Sequence, residues 1–225
     1  MNAPPIPSPK RPGMPTWAWV LIGFAVCGCA GVPILAAILF PVFAQARYAA
    51  MKTQTLSHIK QLGTGAVLFE GDNDGLLPNV SSEKQIYALM APYVKNMSVI
   101  KSMNPKGHEI LFNFKLGGHT QDQLKDSQNT IMFYEESPWP DGKRAVVFYD
   151  SHAKLLSQDE WQDAKPLMDD PIRVGAKTVK PLSPGYQAAL AKFYDRVIVE
   201  GNLNLSEKDL KFLTPDFTTG EQAKQ

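Results

Sequence analysis

The chain has 225 residues, enough for one ordinary domain plus an anchor and too few for two full domains. Its 23 Lys and Arg stand against 22 Asp and Glu with no basic run, a balance that argues against a nucleic-acid binder. The 18 Pro and 16 Gly point to a turn-rich domain and not a helical bundle.

Both cysteines, Cys27 and Cys29, lie in one apolar segment, so the rest of the chain has no disulfide framework and no Cys-based metal site. The redox compartment stays open.

Residues 1–16 are rich in Pro and polar side chains, bury no core, and are expected to form a disordered, extended tail. From Trp17 to Ala44 there is no charged residue. That run is about 28 residues long, against roughly 20 needed to cross the hydrocarbon core, so a transmembrane helix is expected over 17–44. Thr16 stands at its N-cap, Trp17 and Trp19 suit the headgroup layer, and Pro33 and Pro41 predict local irregularities. Two readings compete. A buried core helix rarely stays uncharged for so long. A cleaved signal peptide, with Lys10 and Arg11 as its charged region, has a shorter apolar run. Val26, Cys27 and Gly28 make a poor lipoprotein box before Cys29. Lys10 and Arg11 favour a cytoplasmic N-terminus, while Arg47, Lys52 and Lys60 argue the other way. The expected placement is single-pass in a bacterial inner membrane, N-terminus cytoplasmic, with the C-terminal domain extracytoplasmic and the lipid bilayer a partner.

Ala44 to Phe69 contains no proline, and Leu56, Ile59, Leu62, Ala66 and Phe69 recur at helical spacing. The helix therefore continues into the domain with one stripe packed on it. Ser82 to Asn96 reads as a second helix, with Ser82 and Gln85 as a capping box and a break at Pro92. Strands are expected at 110–115, 130–135, 145–149 and 153–156, rich in β-branched and aromatic residues, with a tight turn at Asp150-Ser151. Ser157 and Glu160 form another capping box that opens a short helix through Trp161 to Leu167. After a Pro-rich link, Tyr186 to Val199 is amphipathic, with Leu190, Phe193, Tyr194 and Val197 on one face. Ser206 to Leu213 is a last helix capped by Ser206 and Asp209, and the chain frays from Thr214. The class is α+β: a long N-terminal helix on a small antiparallel sheet. The tail is divided as a C-terminal helical extension over 161–225 after a domain over 45–160; it either docks on the sheet or binds a partner.

Four segments carry a resemblance. The stretch Ile34 to Arg47 (ILAAILFPVFAQAR) resembles the membrane helix of type IV pilin-like and type II secretion pseudopilin-like proteins. Leu56 to Gly63 (LSHIKQLG), continuing through Phe69 to Pro78 (FEGDNDGLLP), is similar to that family's helix end and turn. Leu89 to Asn96 (LMAPYVKN) resembles its second helix, and Val146 to Leu156 (VVFYDSHAKLL) its closing strand pair, usually read Asp-Gly-His. There are departures. The family's prepilin-peptidase glycine aligns with Trp19 and its glutamate with Phe24, and Ser151 replaces the usual glycine. Gly23-Phe24 imitates the cleavage dipeptide out of register. That glutamate is the family's register device, a buried charge paired with a neighbour's amine.

Little chemistry is legible. Asp72, Asn73, Asp74 and Gly75 could offer oxygens to calcium, but the EF-hand's closing Glu falls at Ser81, and the same residues favour a turn. His58, His108, His119 and His152 show no ligand spacing. Asp150 with His152 reads as a turn and edge pair, and Glu135-Glu136 as a solvated strand end. No nucleophile elbow, phosphate loop or H-E-x-x-H occurs. No catalytic, cofactor or metal residue is assigned, and an enzyme is not expected. Two functions are: a membrane-anchored pseudopilin-like envelope protein contacting pilin-like subunits or secretion machinery, and a non-assembling tethered binding module. The second expects that deleting residues beyond Lys165 leaves the fold intact and abolishes binding.

Overall fold

The structure is a computed structural model that describes residues 13–94, 96–107, 109–199 and 205–213, and no side chain at positions 22, 25–34, 198 and 199. The tail up to residue 12 with Lys10 and Arg11, the cysteine side chains, His108 and the segment from Thr214 lie outside the described residues. Contacts divide the chain into two units, Met1–Ala49 and Ala50–Gln225.

One helix, α1 (Thr16–Asp72), contributes to both units and is continuous through Pro41. In the first unit none of the described side chains is buried. Trp17, Phe24, Leu35, Ile38, Phe40 and Phe43 are 60–77% exposed.

Among the described residues, no helix is long and apolar enough to cross a membrane. Past residue 44, α1 carries Arg47, Lys52 and Lys60. The expected transmembrane helix over 17–44, the single-pass topology with a cytoplasmic N-terminus and the inner-membrane localisation are corrected on this finding.

The second unit is mixed helix and sheet. Strands β1 (Ile110–Phe112), β2 (Ile131–Glu135), β3 (Arg144–Phe148) and β4 (Ala153–Leu156) form an antiparallel meander in the order β1-β2-β3-β4. The Asp150-Ser151 turn closes β3 on β4: Ser151 takes φ 64°, and the Phe148 N–H donates to the His152 carbonyl at 2.9 Å. The strand alternation sends Ala145 and Val147 to one face and Val146 and Phe148 to the other. A bulge between Ile131 and Phe133 lets Met132 join Phe133 on the first face, while Ile131 stays on the second.

The first face meets the last turns of α1. Ile59, Leu62, Ala66 and Phe69 are buried there with Phe112, Phe133 and Val147, while Lys60 and Gln61 face solvent. Fully burying side chains of this size is worth about 1.5–3 kcal/mol each. Gly63 makes the contact close: a Cβ there would lie 2.6 Å from the Val147 Cγ2.

The second helix, α2 (Glu83–Met90), is shorter than its sequence pattern suggests. It stops ahead of Pro92, whose ring removes a donor. Ser82 stands at the N-cap but makes no side-chain cap bond, and the Gln85 Oε1 accepts at 2.9 Å from the N–H of Ser81, one residue ahead of the cap.

The opposite sheet face is covered by α3 (Gln158–Asp169). The Ser157 Oγ accepts from the Glu160 N–H at 3.3 Å, and the Ser157 N–H donates to the Glu160 Oε2 at 2.8 Å. Trp161 and Met168 bury against Ile131, Val146, Phe148 and Leu156, and the helix runs past Pro166.

The tail folds back. In α4 (Pro184–Phe193), capped by Ser183, in the π-helical turn Tyr194–Val199 and in α5 (Glu207–Leu213), the residues Leu190, Phe193, Val197 and Leu213 all join the main core. Within the 161–225 extension, α3 covers the sheet, and α4 with the π-helical turn packs on α2.

Candidate functional site

The acids and histidines marked by sequence do not converge. At the end of α1 the Asp72 carboxylate accepts from the Tyr93 hydroxyl at 3.0 Å. The Asn73 amide donates to the Phe69 carbonyl at 2.7 Å, and Asp74 and Gly75 turn the chain with φ of 52° and 75°. The two aspartates thus point to different surroundings. Among the described residues no group of three or more His, Cys, Asp and Glu is placed to hold a metal ion.

His58 is buried, its Nδ1 3.0 Å from the Lys101 carbonyl. His119 is buried as well, with Nδ1 3.0 Å from the Gly117 carbonyl and Nε2 2.9 Å from the Thr178 hydroxyl. A carbonyl only accepts, so Nδ1 carries the proton in both rings. His152 stacks on Phe148 with ring centroids 4.2 Å apart and holds the Asp150 carboxylate at 2.5 Å, a contact within its own turn.

Glu135 corrects its sequence reading. It has no exposed surface, whereas Glu136 is exposed. Its carboxylate accepts from the Ser102 hydroxyl, from the Trp139 Nε1–H at 2.8 Å and from the Ala145 N–H at 2.7 Å. Around this hub the Thr55 hydroxyl of α1 accepts from the Met103 N–H at 2.9 Å, and the Lys52 ammonium pairs with Asp141. One buried carboxylate ties the segment at Ser102, the loop at Trp139 and the start of β3 together. Burial pushes its titration upward, opposed by the Ser102, Ala145 and Trp139 donors and the Arg144 charge.

Glu70 escaped the sequence reading altogether. It is 8% exposed and accepts from the hydroxyl of buried Tyr149 at the end of β3. Desolvation raises its carboxyl from 4.5 to about 7, against the lowering effect of the Tyr149 hydrogen bond. A signal was present: Glu70 follows Ala66 by four residues and so sits on the apolar stripe of α1.

The clefts that open on this unit among the described residues include two of note. One, of about 670 Å³, lies at the end of α1 and is lined by Glu70, Asp74, Thr120, Asp122, Ser127 and Arg173 among others. The other, of about 500 Å³, lies where α2 meets the tail. Tyr87 and Tyr194 form its aromatic side, with ring centroids 6.3 Å apart, and Glu83, Lys84, Lys101 and Glu109 stand around it. The Tyr87 hydroxyl donates to the outward Ile110 carbonyl, which closes that point of the β1 edge.

Neither cleft presents a nucleophile held by a base, nor a converging set of donors for a developing charge. What the geometry offers chemically is contact surface: two mixed-charge clefts on the α+β unit and an uncharged helical stretch in the first unit. No protein-family model matches this chain, and neither any curated protein nor any solved structure does.

Proposed function

We propose that this chain works by protein–protein contact as a pilin-like subunit, partnering other pilin-like helices or the machinery of a type II secretion or type IV pilus-like system. The observation that carries this reading is the uncharged stretch of α1, where Trp17, Phe24, Leu35, Ile38, Phe40 and Phe43 keep most of their surface exposed. Contiguous apolar surface on this scale marks an interaction site. A helix apolar on every side is ordinarily covered. The α+β unit supports the same reading through the packing of the last turns of α1 on an antiparallel sheet closed by an Asp-Ser-His turn.

Disulfide crosslinking of the full chain in the cells that make it tests this. In a background with Cys27→Ser and Cys29→Ser, cysteines introduced singly at Leu39 and Phe40 are expected to give discrete adducts of defined mass. A full set of such variants that stays uncrosslinked and monomeric overturns the proposal.

A second reading is a binding module that does not assemble. It is favoured by the cleft beside α2, because the tail supplies Tyr194 to its lining. Monomeric chain in the crosslinking experiment, together with a partner whose binding is lost in Tyr194→Ala, selects this reading over the first.

A further inference from the structure

We propose that the outer edge of β4 is an interaction surface for a second copy of this chain, whose own β4 adds antiparallel to it and joins the two sheets into one. The order β1-β2-β3-β4 leaves β1 and β4 as the edges, and the structure treats them differently. At β1 the Tyr87 hydroxyl donates to the outward Ile110 carbonyl, and an antiparallel bridge joins Glu109 to Lys101. At β4 the register decides what points outward. The Phe148 N–H donates to the His152 carbonyl at 2.9 Å, and pairs along an antiparallel ladder alternate between bonded and unbonded. Val146 with Lys154 and Arg144 with Leu156 are therefore the bonded pairs, and the N–H and C=O groups of Ala153 and Leu155 point away from β3. The Ala145 N–H, which turns to the Glu135 carboxylate on the β2 side, fits the same alternation. Among the described residues no donor or acceptor meets the outward groups of Ala153 and Leu155.

An open row of donors and acceptors on a sheet edge is met by another extended chain. β4 lacks the devices that close such an edge: it holds no proline and no bulge, and its register with β3 is regular along its length. Lys154 lies on the α3 side of the strand, its ammonium held by the Glu160 Oε1 at 2.6 Å. The strand also complements itself. With a two-fold axis at Lys154, Ala153 of each copy faces Leu155 of the other, and the outward groups of both residues find partners. A small side chain then meets a large one on the side where both already pack on the main core. On the α3 side the two lysines meet with a Glu160 beside each, which offsets the like charge opposite. The contact rests on the assembly reading above: a few backbone bonds bury less than the roughly 1,200 Å² of a stable interface, so the apolar stretch of α1 has to bring the copies together.

Disulfide crosslinking of the full chain in the cells that make it, with an added oxidant and in the Cys27→Ser and Cys29→Ser background, is the test. Across the axis residue 154 faces itself as an unbonded pair with Cα atoms about 4.5 Å apart, within the range a disulfide spans. Lys154→Cys is therefore expected to give a dimer of twice the chain mass. Position 155 faces 153 and not itself, so Leu155→Cys is expected to stay largely uncrosslinked. Ala153→Pro, added to Lys154→Cys, removes an N–H that β3 does not use, at an edge position where proline is tolerated; the dimer yield is expected to drop about tenfold for the two symmetry-related bonds lost. A Lys154→Cys chain that stays monomeric where Leu39→Cys crosslinks overturns the edge contact and leaves the α1 reading standing; no adduct from either overturns both. Equal yields from positions 154 and 155, or a yield that Ala153→Pro leaves undiminished, overturn the edge contact as well. If the Ala153→Pro chain fails to fold, the comparison of positions 154 and 155 decides alone.

Discussion

At the scale of single residues, two buried carboxylates are treated differently by their surroundings. Glu135 receives three donors and serves as a fixed joint; removing it would leave the Trp139 and Ala145 N–H groups buried without an acceptor. Glu70 receives one donor and stands among other acids. Its folded carboxyl titrates at about 7, above the ordinary 4.5, so between these values the folded chain keeps a proton that the unfolded chain has released. The resulting stabilisation is complete below about 4.5, is lost as pH rises through 7, and amounts to about 3 kcal/mol at most. Glu135, also shifted upward, acts in the same sense. Glu160, pulled down to about 2 by the Lys154 ammonium and the Ser157 N–H, acts in the opposite sense between about 4.5 and 2, outside this window. Urea midpoints are therefore expected to fall between pH 5 and pH 8, and Glu70→Gln to flatten that slope; an unchanged slope in the variant would assign it to other groups. Both carboxylates lay on apolar faces that periodicity alone marks: Glu70 at helical spacing from Ala66, and Glu135 two residues beyond Phe133. Charge hid them, because an isolated acid reads as solvated until its donors, which come from distant positions, are placed around it.

At the scale of elements, the contact of α1 with the sheet depends on one small residue. Gly63 lies against Val147, a β-branched side chain with little rotamer freedom, buried between helix and strand. Gly63→Ala is expected to destabilise the unit by about 1–3 kcal/mol through overpacking, despite the better helix propensity of alanine. Adding Val147→Ala makes room for the new methyl, so chemical denaturation of the four chains of a double-mutant cycle should give a favourable coupling; strict additivity would mean that the helix had shifted instead. The stripe of α1, the four strands and the Asp150-Ser151 turn were legible because each rests on local periodicity or on turn chemistry. The bulge in β2 and the capping pattern of α2 were not. The first depends on register with β3, and the second on which of two adjacent backbone N–H groups, Ser81 or Ser82, the Gln85 side chain reaches.

At the scale of the whole chain, the α+β unit does not end with its sheet. Leu190, Phe193, Val197 and Leu213 of the tail share one core with α2, and the segment between is tied back through the Lys125 N–H to the Pro171 carbonyl at 2.8 Å and the Val179 N–H to the Gly118 carbonyl at 3.0 Å. Deleting everything beyond Lys165 also removes Met168 from the second core. The expectation that such a chain keeps its fold is therefore reversed: the truncated chain should lose its cooperative unfolding transition, as followed by circular dichroism with heating. A sharp transition near that of the full chain would show that the tail is dispensable.

The sequence by itself determined the α+β class, the helix stripe, an antiparallel sheet with a tight turn between its last two strands, and the caps of α3 and α5, because all of these follow from nearest-neighbour periodicity and short polar signatures. The tertiary structure alone decided that Glu135 is a buried hub, that Glu70 meets Tyr149, and that α4 docks on α2. It also decided against the transmembrane reading of 17–44, because among the described residues no helix is long and apolar enough to cross a membrane. Burial is set by partners tens of residues away, and no local pattern encodes which distant donor or apolar face will arrive.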